Sequence, residues 1–184
     1  MSYDLHLFRP RPDEDPDTTA RRESDLPTTP ADPQKEALKR KVASALISLN
    51  PQLEVFQFGY DAIAKSQNIS VEEARVKFRH FELNGPEDGN GIQITLFDDE
   101  ASVTVPYWHQ GPKAVEVFRE IWRYLERIHD EAGYLVFDPQ LERILDLSND
   151  FDAAVNCYIG VVAMTTPMVD TTVLQQKKPW WRFW

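Results

Sequence analysis

The chain has 184 residues, with 20 Lys+Arg against 30 Asp+Glu for a formal net charge of −10, and 42% of it is hydrophobic. That is the profile of a globular domain that can bury roughly two-thirds of its unfolded surface without disulfides or metal. The acidic balance argues against direct nucleic-acid binding, which needs clustered Lys and Arg, and the single Cys157 rules out an internal disulfide.

Taken in chain order, Tyr3 to Phe8 alternates as a strand. Residues 9–32 follow as a Pro-rich, acidic stretch with almost nothing apolar but Leu26; it reads as a mobile loop inserted into a single domain spanning 1–164. Asp32 and Pro33 open a helix as N-cap and first residue. Leu38, Val42, Leu46 and Leu49 continue it, and Asn50-Pro51 stops it. Leu53 to Phe58 reads as a short strand. Ser70-Val71-Glu72-Glu73 is a capping box that starts a helix through Ala74 and Phe78. Three strands are then predicted at His80–Leu83, Ile92–Phe97 and Ser102–Tyr107. The glycine-rich link Gly85–Gly91 joins the first two, and a hairpin tip at Asp98-Asp99-Glu100-Ala101 joins the last two. The clearest helix runs from Lys113 to Ala132, with Val115, Phe118, Trp122, Leu125 and Ile128 on one stripe and Gly133 as the left-handed stop. A strand at Tyr134–Phe137 ends at Asp138-Pro139, and a last, largely apolar helix carries Phe151, Val155, Tyr158 and Val162. The order β–α–β–α–β–β–β–α–β–α predicts an α+β fold, a mainly antiparallel sheet of about five to six strands with three or four helices packed on it.

The N-terminus has no basic, apolar and small-residue succession of a secretory signal. No apolar run approaches the ~20 residues of a membrane helix, so a cytoplasmic location is expected, and a lone cysteine fits a reducing compartment. None of His6, His80, His109 and His129 shows helical metal-site spacing or a nucleophile signature, and Cys157 reads as a packed thiol in the last helix. The Gly85–Gly91 link lacks Lys and is acidic, unlike a phosphate loop, and no EF-hand spacing occurs. No catalytic, cofactor or metal residue is therefore assigned.

What stands out is where the acids lie. From Glu82 to Glu100 there are six and no Lys or Arg; from Asp130 to Asp152 there are seven against Arg143 alone. Such a field steers and holds a basic partner, although turns and caps also use Asp for local reasons. The expected partner surface comprises Asp88, Asp98, Asp99, Glu100 and Asp138, with Tyr107 and Trp108 as aromatic anchors. Residues 165–184 read as a tail ending in Lys177-Lys178-Pro179-Trp180-Trp181-Arg182-Phe183-Trp184. Its aromatics suit, in descending order, docking on the chain itself or a second copy, a partner groove, or a membrane contact by Trp180, Trp181 and Trp184.

Ser2-Tyr3-Asp4-Leu5, the Gly91-Ile92-Gln93-Ile94 strand, the amphipathic helix through Trp122, and Phe137-Asp138-Pro139-Gln140 together resemble small bacterial cytoplasmic proteins of uncharacterised function. Some of these are similar to immunity proteins that accompany secreted polymorphic toxins. The resemblance covers residues 1–8 and about 80–150. It implies a non-enzymatic protein that neutralises a basic toxin by covering it with an acidic surface, and it transfers no site residues. Two alternatives stand beside this expectation: a small enzyme using His109 or His80 with a carboxylate, and a self-associating scaffold using the Trp-rich tail.

Overall fold

A computed structural model describes residues 1–20, 27, 29–86 and 89–165. Among them, seven strands form one antiparallel sheet and six helices are present. The strands are β1 (Ser2–Phe8), β2 (Glu54–Val55), β3 (Phe81–Asn84), β4 (Gln93–Leu96), β5 (Glu100–Pro106), β6 (Leu135–Asp138) and β7 (Arg143–Ile144). The helices are α1 (Pro16–Ala20), α2 (Pro33–Leu49), α3 (Tyr60–Gln67), α4 (Val71–Lys77), α5 (Gly111–Ala132) and α6 (Phe151–Thr165).

The sheet order is β2-β3-β4-β5-β1-β6-β7, which places the first strand of the chain at the centre. Leu5 pairs with Val103 of β5, and Leu7 with Val136 of β6. Alternation along β1 buries Tyr3, Leu5 and Leu7 while His6 on the other face is exposed, as the two-residue period of a strand requires. The buried face meets Val42 and Leu46 of α2, Val117, Phe118, Ile121, Leu125 and Ile128 of α5, and Ala154, Tyr158 and Val162 of α6 in one continuous core. Each large apolar side chain so buried contributes roughly 1.5–3 kcal/mol. On the opposite face lie polar side chains, His6 across from Ser102 and Asp4 across from Thr104. A small second cluster of Phe8, Ala20 and Phe137 lets α1 pack there.

The predicted caps form as read. Asp32 accepts from the Gln34 amide at 2.8 Å, Ser70 and Glu73 make both bonds of the capping box, and Gly133 ends α5 at φ 68. Four features differ from the expectation. The loop 9–32 contains α1. The strand expected over Leu53–Phe58 pairs only at Glu54–Val55 and through the Phe56 amide to Glu82 O. Helix α3 was not foreseen, and it closes at Asn68 in the left-handed region (φ 54). The two-residue β7 completes a sheet of seven strands rather than five or six. No described helix is long and apolar enough to cross a membrane. Residues 21–26, 28, 87–88 and 166–184 lie outside the described residues, and with them Asp88, Trp180, Trp181 and Trp184.

Candidate functional site

The hairpin tip between β4 and β5 is not a free acidic face. Asp98 is paired with Arg79 and with Lys39, the latter at 2.9 Å, and Lys39 is itself buried, bonding Arg79 O at 3.0 Å and Glu36 at 3.0 Å. Burial pushes the Asp98 carboxyl up, but the Arg79 and Lys39 contacts outweigh it and hold it below the usual carboxylate range. Asp99 pairs with Lys35. Glu100 is half-buried in β5 and lines a cavity of about 10 Å³ with Leu38, Ile128 and Tyr134. These acids lock α2 to the hairpin.

Asp138 is corrected as a surface residue: it is 0% exposed. One oxygen accepts from the Tyr3 hydroxyl; the other accepts from the amides of Gln140 at 2.8 Å and Leu141 at 3.1 Å. A buried carboxylate needs that many donors to stay there. Burial first and the Asp138 contact second hold the Tyr3 phenol far above the ordinary tyrosine range. Tyr107 also belongs to this interior. It stacks on Tyr158 at 5.5 Å and meets Tyr3 edge-on at 6.1 Å, and burial pushes its hydroxyl up to about 12.

Trp108 is different, with 55% of its surface exposed. Its ring lies over Gly91, whose φ of +70 and missing Cβ make room: a Cβ there would stand 2.5 Å from Trp108 Cζ2. The indole N–H lies 2.9 Å from His109 Nε2, which is also 2.7 Å from Asn90 O. That nitrogen either accepts from the indole or donates to the carbonyl, according to its tautomer. Burial, more than any other part of its surroundings, lowers the His109 pKa. Asn90 reaches Glu120 at 2.6 Å, and Asn50 and the Tyr124 hydroxyl reach the other oxygen of the same carboxylate at 3.1 and 2.6 Å. His80 has an aromatic setting, its ring 4.8 Å from Phe58 and 5.2 Å from Phe97. Burial, then Lys39, lower its pKa to about 4, so it is neutral at physiological pH. Desolvation likewise raises the Cys157 thiol.

The expected acids and aromatics therefore do not share one edge. Glu100 opens β5 and Trp108 stands beyond its other end, roughly 25 Å away by strand rise.

The structure instead brings acids together beside α5. A cleft of about 460 Å³ is lined by Glu126, His129, Asp130, Leu135, Val136, Leu145, Asp146, Leu147 and Ser148, three carboxylates with no Lys or Arg in its wall. Glu126 and Asp130 make no ion pair or side-chain hydrogen bond among the described residues. Asp146 is held by the Ser148 amide at 2.9 Å and Asn149 at 2.6 Å, which lower its pKa with Asn149 the larger cause. His129 Nδ1 donates to Tyr134 O at 2.7 Å, fixing the ring. The Trp122 indole donates to Leu147 O at 2.8 Å and ties the 145–148 wall to α5. Such a cleft is suited to one cationic side chain. Among the described residues no group of three or more His, Cys, Asp or Glu stands where it could hold a metal ion.

Asp130 and Asp146 belong to the acid-rich stretch visible in the sequence, but Glu126 lies outside it and none of the three was singled out. The missed signal was the spacing of Glu126 and Asp130, one helical turn apart and opposite the apolar stripe. Comparisons with protein-family models, with curated proteins and with solved structures find no match to this chain.

Proposed function

We propose that this is a non-enzymatic, cytoplasmic binding protein that holds a basic protein partner, in the manner the resemblance to toxin-immunity proteins implies. The observation that carries the reading is the α5 cleft, with Glu126, Asp130 and Asp146 in its wall and no Lys or Arg among the described residues that line it. A Lys or Arg entering it meets carboxylates that are already converged, so the cost of gathering like charges is met on folding rather than on binding. Binding is favoured over catalysis because His80 sits neutral among aromatic rings and His109 is engaged by Asn90 and Trp108. Neither histidine lines this cleft.

The test is capture from host lysate on immobilised wild-type protein and on Glu126→Gln/Asp130→Asn, eluted with rising salt. The expected result is a basic protein that wild type retains, that moderate salt releases and that the double variant loses, because charge pairing at an interface is screened and mainly sets association rate. Equal retention by both proteins, or capture indifferent to salt, overturns the proposal.

A further inference from the structure

A second groove adjoins the acidic cleft and shares Glu126 with it. It has a volume of about 600 Å³ and is lined by Glu116, Arg119, Trp122, Arg123, Glu126 and Phe151. Trp122 and Phe151 meet at right angles, ring centres 5.4 Å apart, in its aromatic wall. Arg119 and Arg123 are exposed and make no ion pair or side-chain hydrogen bond among the described residues. This is unusual in a chain with ten surplus acids. On the same helix Lys113 pairs with Glu116 and Arg127 with Glu131.

The residues at 116, 119, 123, 126 and 130 are each three or four apart, so α5 stacks all five on one stripe. Along that stripe two arginines sit one turn apart, then two acids one turn apart. Like charges at that spacing oppose the helix, whereas alternating signs support it. Two of the four neighbouring pairs on the stripe, Arg119–Arg123 and Glu126–Asp130, therefore oppose the helix, while Glu116–Arg119 and Arg123–Glu126 support it.

We infer that the groove of Arg119, Arg123, Trp122 and Phe151 receives an acidic side chain and an adjacent apolar side chain of the same basic partner, making the α5 face a two-pocket dock of opposite charge. The inference rests on the proposed binding role of the acidic cleft. Guanidinium groups present planar donor forks to a carboxylate, and the aromatic wall takes the apolar neighbour. The centres of the two charge pairs are about seven residues apart along the helix, roughly 10 Å at 1.5 Å per residue. An extended partner segment covers that in about three residues. The partner segment thus carries Asp or Glu and Lys or Arg about three residues apart, with an apolar residue between them.

The probes are capped synthetic peptides, in both chain orders, with Glu and Arg three residues apart around a Leu, plus analogues in which Glu or Arg is replaced by Gln. Binding is followed through the Trp122 indole N–H signal by NMR titration. Arg119→Gln/Arg123→Gln keeps helix propensity at exposed positions, and a thermal melt checks its fold. The expected result is that this double variant weakens the full peptide about tenfold and leaves the Glu→Gln analogue unchanged. If the Glu→Gln analogue binds wild type as tightly as the full peptide, the anion-binding groove is refuted while the acidic cleft stands. If only the Arg→Gln replacement is without effect, the cleft reading fails and the groove stands. Absence of binding by every peptide at millimolar concentration overturns both.

Discussion

His80 makes stability depend on pH in a window that opens above the carboxylate range. Its ring packs among Phe58, Phe78 and Phe97 with no hydrogen-bond partner among the described residues. Burial and then Lys39 lower its pKa from 6.5 to about 4. A folded-state pKa below the unfolded one means the unfolded chain takes up the proton first. Stability is therefore whole above about 6.5 and is lost as pH falls through that value toward about 4. The gap corresponds to about 3 kcal/mol at roughly 1.4 kcal/mol per pH unit, and partial exposure of the ring reduces this to about 2 kcal/mol. Replacing His80 by Phe keeps an aromatic ring among aromatic rings and removes the titration. Urea unfolding of wild type and His80→Phe at about pH 7.5 and about pH 4.5 isolates the effect, because the other ionisable groups are common to both. Wild type is expected to lose about 2 kcal/mol more than the variant over that interval. Asp98, held below its ordinary range by Arg79 and Lys39 against the cost of burial, contributes stability that starts to be lost as pH falls through the ordinary carboxylate range and is gone below its lowered folded value. Parallel losses in the two proteins between these pH values would refute the neutral, caged histidine.

Tyr3→Phe deletes the hydroxyl that donates to buried Asp138; the carboxylate keeps two amide donors, and the expected cost is about 1.5–3 kcal/mol by denaturant unfolding. A loss under about 0.5 kcal/mol would mean the contact contributes little. Gly91→Ala is expected to cost more than Gly133→Ala, although both sit at positive φ. The backbone conformation alone costs about 1–2 kcal/mol at either, but only at Gly91 does the new Cβ meet Trp108, at 2.5 Å. An indole N–H resonance displaced in the Gly91 variant alone would report the moved ring; equal unfolding costs and unmoved signals would sink this account.

Elements with strong local signals were legible in the sequence. Asp32-Pro33, the Ser70–Glu73 box and Gly133 each announce a helix end by a backbone need that few residues meet. The long stripe of α5 announces a core face. What escaped had little local signal. Helix α3 has only Tyr60, Ile63 and two alanines as apolar content, and its burial is confined to Ala64. The strand β7 is two residues long and exists because β6 offers it an edge. The expected site erred for a related reason. Asp98 and Asp138 look alike in sequence, yet one is clamped by cations from α2 and from the link between α4 and β3, and the other lies wholly inside, bonded to a tyrosine 135 residues away. Non-local partners of that kind leave no local pattern, whereas Trp108 could be read because an aromatic at a strand end beside Gly-Pro has few places to bury itself.

Net charge alone did not place the candidate site. The hairpin acids are neutralised where they stand: Asp98 by two cations and Asp99 by a third. A neutralised pair projects little field beyond about 10 Å at ordinary salt. Unpaired charges do project, and on α5 they are grouped by sign, Arg119 with Arg123 and Glu126 with Asp130. Each such like-charged pair at one-turn spacing costs the helix about 0.2–0.5 kcal/mol, and exchanging Arg123 with Glu126 would leave both pairs broken at no cost to the core. The order the chain carries gives the helix two favourable and two unfavourable neighbours where the exchanged order would give four favourable ones. A partner whose own charges are met in that sequence along α5, as proposed above, would draw on both like-charged pairs.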